Sequence, residues 1–94
     1  MFNHNQYFDG AVASLAFEDN GIAATVGVMK AGEYRFSTGA AERMTVVSGE
    51  LSIKLEGSDN WQDYQAGGEF AIAANSYFDV KVVRDSSYLC HYLP

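Results

Sequence analysis

The chain has 94 residues, a formal net charge of −6 at pH 7, and 48% hydrophobic residues including six Phe and six Tyr. That aromatic and apolar content excludes disorder, and the acidic balance argues against nucleic-acid backbones, which need clustered cations. No apolar run approaches the ~20 residues that cross a bilayer, so neither nucleic acid nor membrane is an expected partner.

A chain of this length makes one domain, expected over residues 1–94, and buries about 60–65% of its unfolded surface in a single core. The first 29 residues contain no Lys or Arg. Without a basic n-region or transit peptide, the expected location is the cytoplasm. Lys30, Arg35, Arg43, Lys54, Lys81 and Arg84 are the whole supply of positive charge. Cys90 is alone, cannot form an internal disulfide, and reads as a buried structural thiol in a strand-like run.

Residues 1–6 are polar and expected as a loose N-terminal arm. Tyr7 and Phe8 begin order, packing over one end of the fold or over a neighbouring subunit. Residues 11–17 alternate weakly, with Ala13, Leu15 and Phe17 on one face. Asn20-Gly21 is the strongest hairpin signal, because this pair suits a type I′ turn. Residues 22–29 return as a strand with Ile22, Ala24, Val26 and Val28 on one side. Lys30-Ala31-Gly32 turns the chain into Glu33 to Ser37, where Tyr34 and Phe36 share a face and Glu33 and Arg35 share the other.

Residues 42–55 read as a hairpin. Glu42, Met44 and Val46 share a face that points inward. Gly49 serves the turn, and Leu51 to Leu55 alternates apolar with polar at a period of two. Glu56 to Gln65 is the longest polar segment and surrounds Trp61, which reads as a dimer contact or a lid. Short strands follow at 69–73, 77–83 and 88–93, with Phe78, Val80 and Val82 on one face of the second. Eight or nine short strands with turns between them and no helical period make an all-β sandwich or barrel. Periodicity does not separate a jelly roll from an up-and-down barrel.

Glu42 and Gly49 are separated by six intervening residues, which resembles the second half of the first cupin motif, a carboxylate ending in a glycine turn. Gly67 starts the spacing of the second motif, but Ala73, Asn75 and Phe78 occupy its later positions, and the loop Ser37 to Ala41 before Glu42 holds no histidine. The chain is thus similar to a cupin that has lost its metal ligands, and neither metal nor cofactor is expected. The runs VGVMKAGEYRFST, ERMTVVSGELSIKL, AGGEFAIAANSYFDV and SYLCHYL, with Trp61 between the second and third, resemble the small pyrimidine/purine nucleoside phosphorylases of bacterial type. The resemblance implies an all-β cupin-like jelly-roll barrel. It also implies phosphorolysis of purine and pyrimidine nucleosides to free base and pentose 1-phosphate, an enzyme of broad specificity. A homodimer is expected because small cupins commonly pair. The alternative is a non-catalytic cupin that binds or senses a small molecule.

Within that expectation, Glu42 is the catalytic candidate. An inward carboxylate can hold ribose hydroxyls and offset positive charge growing on the sugar; the plainer reading is a rim carboxylate paired with Arg43, Arg35 or water. Tyr34, Phe36, Met44, Tyr77 and Phe78 are candidates for a pocket that stacks a flat base, or for ordinary core. Thr38 is a candidate substrate contact and Ser37 a phosphate contact, where plain turn chemistry would also explain them. Arg35 and Arg43 are candidate phosphate ligands or outer-face charges. His91 reads as a structural histidine.

Overall fold

The structure, a computed structural model, describes residues 2–94. Among them run ten strands: β1 (Asn3–Tyr7), β2 (Val12–Asp19), β3 (Ile22–Met29), β4 (Gly32–Ser37), β5 (Glu42–Ser48), β6 (Glu50–Leu55), β7 (Gln62–Gln65), β8 (Glu69–Ile72), β9 (Tyr77–Val82) and β10 (Ser86–Tyr92). A six-stranded sheet has the order β1-β2-β3-β10-β5-β8, and a four-stranded sheet the order β4-β9-β6-β7. The all-β cupin-like fold is therefore present, with its two sheets standing as a sandwich rather than closed into one hydrogen-bonded ring. Among the described residues no helix is long and apolar enough to cross a membrane.

Local chemistry accounts for the turns. Asn20 and Gly21 both take positive φ, 50° and 83°, as a type I′ turn between β2 and β3 requires. Gly49 joins β5 to β6 at φ 88°. A Cβ there would collide with Ser86, and Ser86 Oγ accepts a hydrogen bond from the Glu50 amide at 3.1 Å. In the β5–β10 ladder the register shifts between Ser87 and Tyr88. That bulge leaves Val47 unpaired while Val46 and Met44 keep their inward face.

The core lies between the sheets. Val12, Met29, Met44, Val46 and Tyr88 come from the large sheet, and Leu51, Ile53, Phe78, Val80 and Val82 from the small one. Glu42, Met44 and Val46 share the inward face, as their alternation predicts. In β2 and β3 the more apolar face is the outer one: Leu15, Val26 and Val28 are exposed, whereas Val12, Ser14, Thr25, Gly27 and Met29 are buried.

Two segments differ from expectation. Asn3–Tyr7 is not a loose arm but an edge strand, paired with β2 from Asn3↔Ala16 to Tyr7↔Val12; Met1, the first residue of that expected arm, lies outside the described residues. Gln62–Gln65, inside the polar segment, pairs with β6 as the edge of the small sheet. Both strands are held mainly by backbone hydrogen bonds and show polar side chains to solvent on an edge, so neither needs an apolar alternation.

Candidate functional site

A cavity of about 140 Å³ opens between the sheets at the end where β4 and β5 are joined. Its two walls differ. The small sheet supplies Phe36 and Phe78, whose rings stack with centroids 5.6 Å apart at 28°. Phe70 meets Phe78 edge-on at 6.2 Å. Met29 and Met44 complete the apolar floor.

The large sheet supplies the polar wall. β10 places Tyr88, Cys90 and Tyr92 on one face by its period of two, with Cys90 beside Met44 and Tyr92 beside Glu42 in the ladder. β2 adds Ser14, which lies across β3 from Tyr88 through Gly27. A Cβ on Gly27 would stand 2.6 Å from the Tyr88 ring and 2.7 Å from the Ala13 carbonyl, so the missing side chain lets the Tyr88 ring cross β3. Tyr7 and Ser37, both exposed, stand at the rim.

Glu42 is half-buried, and the Cys90 thiol donates to its Oε1 at 3.4 Å. Burial holds the Glu42 carboxyl above its ordinary pKa, against the smaller opposing pull of the thiol. Burial, joined by the nearby carboxylate, pushes the Cys90 thiol up, so it is a neutral donor and not a nucleophile. Burial pushes Tyr88 up to about 12 and raises Tyr92 as well. The Tyr92 hydroxyl shares a 3.2 Å hydrogen bond with Thr25 Oγ1. Beside Glu42 this wall thus presents two phenols and a thiol held neutral.

The fold brings Glu42, Phe36, Met44, Phe78 and Ser37 together at this cavity. It places the other candidates elsewhere. The Tyr34 hydroxyl donates to the Lys30 carbonyl at 2.7 Å, and its ring packs 5.0 Å from Phe8. Thr38 is buried; its hydroxyl donates to the Ala73 carbonyl at 2.7 Å and accepts from the Ser76 amide at 2.9 Å, which clips two loops together. Arg35 points away from the core, forking onto Asp79 at 2.7 and 3.1 Å. Its guanidinium lies 4.2 Å over the Tyr77 ring, so Tyr77 serves that outer cluster. Arg43 is exposed on the strand face opposite Met44.

The cupin likeness raises the question of a metal. Among the described residues no group of three or more His, Cys, Asp or Glu side chains could hold one. Around Glu42 stand a protonated thiol, phenols and phenylalanines, which do not fit a cupin metal centre. His91 is turned to the outer face, with Nε2 2.7 Å from Asp19 Oδ2. Its buried Nδ1 has no hydrogen-bond partner among the described residues.

Ser14, Tyr88 and Tyr92 do not stand out as site residues in the sequence, and Cys90 reads there only as a structural thiol. The signal was present in β10, where three groups with polar atoms recur at a period of two. In β2 the apolar alternation of Ala13, Leu15 and Phe17 drew the eye to the opposite face.

A six-stranded and a four-stranded antiparallel sheet enclosing such a cavity define a cupin-like protein. An RmlC-like cupin from Shewanella frigidimarina shares the fold with a TM-score of 0.76 at 14% identity, over 98% of this chain and 83% of that one. The model of the family described as pyrimidine/purine nucleoside phosphorylase matches residues 2–92. A Pseudomonas aeruginosa protein of that name is 53% identical over 92 residues, 98% of this chain and 99% of its own length. This chain belongs to the pyrimidine/purine nucleoside phosphorylase family. A solved Vibrio parahaemolyticus protein of unknown function is 45% identical, with a TM-score of 0.95 over 99% of both chains.

Proposed function

We propose that the protein catalyses phosphorolysis of purine and pyrimidine nucleosides in this cavity. The observation that carries the reading is the pairing of walls: a lone carboxyl among hydroxyls faces a stacked pair of phenylalanines across one opening. The bond from C1′ to the base nitrogen breaks, and a phosphate oxygen bonds to C1′. Free base and pentose 1-phosphate result. Phe36 and Phe78 offer an apolar face to any flat base, which suits broad specificity. Glu42 holds ribose hydroxyls and offsets the positive charge that grows on the sugar, while Ser37 at the rim meets phosphate. Such a reaction draws on positioning and electrostatics more than on covalent chemistry from the protein.

The wider reading is one domain working in the cytoplasm, where a reduced Cys90 thiol is at home, and paired with a second copy of itself. The pairing face we propose is the outer face of the large sheet, where Leu15, Val26, Val28 and Val47 are 41–57% exposed. Sedimentation of a Val28→Lys variant should return a monomer.

A second reading, a cupin that binds a nucleoside without reacting, is favoured by one observation: among the described residues no Lys, Arg or His lines the cavity. One experiment separates the two. Uridine or adenosine is incubated with the protein, with and without inorganic phosphate, and the products are resolved. Free base and pentose 1-phosphate that appear only with phosphate support phosphorolysis. Bound but intact nucleoside supports the second reading.

A further inference from the structure

The proposed reaction brings phosphate to a cavity that no Lys, Arg or His among the described residues lines. Each cation has another position. Arg35 is paired with Asp79, and Arg43 lies on the outer face. Lys81 stands 4.2 Å over the Trp61 ring and Lys54 5.7 Å from it. Arg84 lies 4.0 Å from Glu50, and Lys30 is exposed in the turn after β3. Among the described residues the one side chain of the cavity that carries a formal charge near neutrality is Glu42. A dianionic phosphate and an ionised Glu42 would then share a half-buried space with no counterion, and like charges there strongly disfavour each other.

We infer that inorganic phosphate enters this cavity as its monoanion beside a neutral Glu42 carboxyl, so that phosphate binding takes up protons. The inference rests on the phosphorolysis reading for its choice of ligand. The geometry suits a neutral carboxyl. Cys90 donates to Oε1, which leaves Oε2 to carry a proton and donate in turn. The titratable groups that line the cavity with Glu42 are Cys90, Tyr88 and Tyr92 of β10 and Tyr7 of β1. The other elements present Ser14, Met29, Phe36, Ser37, Met44 and Phe78, none of which titrates. The buried Tyr88 and Tyr92 phenols and the Cys90 thiol stay protonated, so they add donors and no charge. Burial already moves Glu42 in the required direction.

The arrangement also times the charge. As the C1′–N bond breaks, its electron pair goes to the base nitrogen, which takes the Glu42 proton. The carboxylate thus appears while the sugar becomes positive. The attacking phosphate oxygen bonds to C1′ and gives up its proton, which restores the carboxyl, so protons and charge balance.

The test measures the affinity of the intact protein for inorganic phosphate by calorimetry as pH rises from about 7.5, where free phosphate becomes mostly dianion. Wild-type affinity should fall about 100-fold per pH unit, one proton for phosphate and one for Glu42, and Glu42→Gln affinity about tenfold per unit. An infrared difference spectrum of the wild type should show a protonated carboxyl band appearing with phosphate. Equal slopes in the two proteins, no such band, or no phosphate binding would overturn the inference. Base release from uridine is followed on the same preparations. Equal slopes with base release overturn the inference and leave phosphorolysis standing. A twofold steeper logarithmic slope in wild type without base release upholds the protonated site and removes the phosphorolysis reading.

Discussion

The two sheets meet at one cavity with opposite chemistry. The large sheet turns a carboxyl, four hydroxyls and a thiol toward the cavity, while its outer face is rich in Leu and Val. The small sheet turns Phe36 and Phe78 inward and carries Arg35, Lys54 and Lys81 on its outside. The large sheet is therefore inverted at the site relative to the usual arrangement of apolar inside and polar outside, whereas the small sheet keeps it. A burial pattern that runs against the rule marks where free energy of folding is set aside for another task. The polar wall tolerates this because Tyr88, Cys90 and Tyr92 beside Glu42 are neutral and because thiol and carboxyl, or phenol and Thr25, satisfy one another.

The largest expected effect falls on the small sheet. Phe78→Ala removes a ring that is 2% exposed and packed between Phe36 and Phe70. It should destabilise by about 3–5 kcal/mol in a denaturant melt. A loss under about 1 kcal/mol would mean that this wall is not core. On the large sheet, Gly27→Ala drives a methyl into the Tyr88 ring and the Ala13 carbonyl. The expected loss is about 1–3 kcal/mol, with a matching loss of substrate binding as Tyr88 is displaced. Unchanged binding would show that the polar wall does not depend on Tyr88.

The pH dependence sharpens the contrast, because it resides in the polar wall. The folded-state pKa of Glu42 lies above its unfolded value. Its stabilising contribution is then present below the unfolded pKa and is lost as pH rises through the folded one. Melts of the wild type should weaken across that window relative to Glu42→Gln. Parallel melts would mean that Glu42 is no more desolvated than in the unfolded chain. The smallest effect belongs to the outer face of the small sheet. Arg35→Ala breaks a solvent-screened surface ion pair, which should leave the denaturant melt almost unchanged, and phosphate affinity should hold within about twofold. A tenfold loss would draw Arg35 into the site.

The inward row Glu42, Met44, Val46 was legible because its alternation is uninterrupted and ends at a glycine turn. Phe78 was legible through the spacing from Gly67. The edge strands β1 and β7 were not, because backbone pairing at an edge leaves no trace in side-chain pattern. The outward turn of Arg35 was written in the alternation of Glu33 to Phe36, yet its partner Asp79 lies 44 residues away and its pairing depends on the register of β4 with β9. The tyrosines of β10 reach Glu42 only because β10 lies between β3 and β5, an order that no local window contains.

Glu42 either acts in the reaction or merely closes the end of a sandwich. The most direct measurement pairs steady-state phosphorolysis of uridine with a denaturant melt of the same Glu42→Gln preparation. The variant keeps the shape of the side chain but can neither carry the charge nor pass on the proton. The rate should fall about 100-fold or more, equivalent to about 2.7 kcal/mol of transition-state stabilisation, with stability unchanged or slightly raised. A wild-type rate accompanied by lost stability would contradict the account and make Glu42 a structural residue.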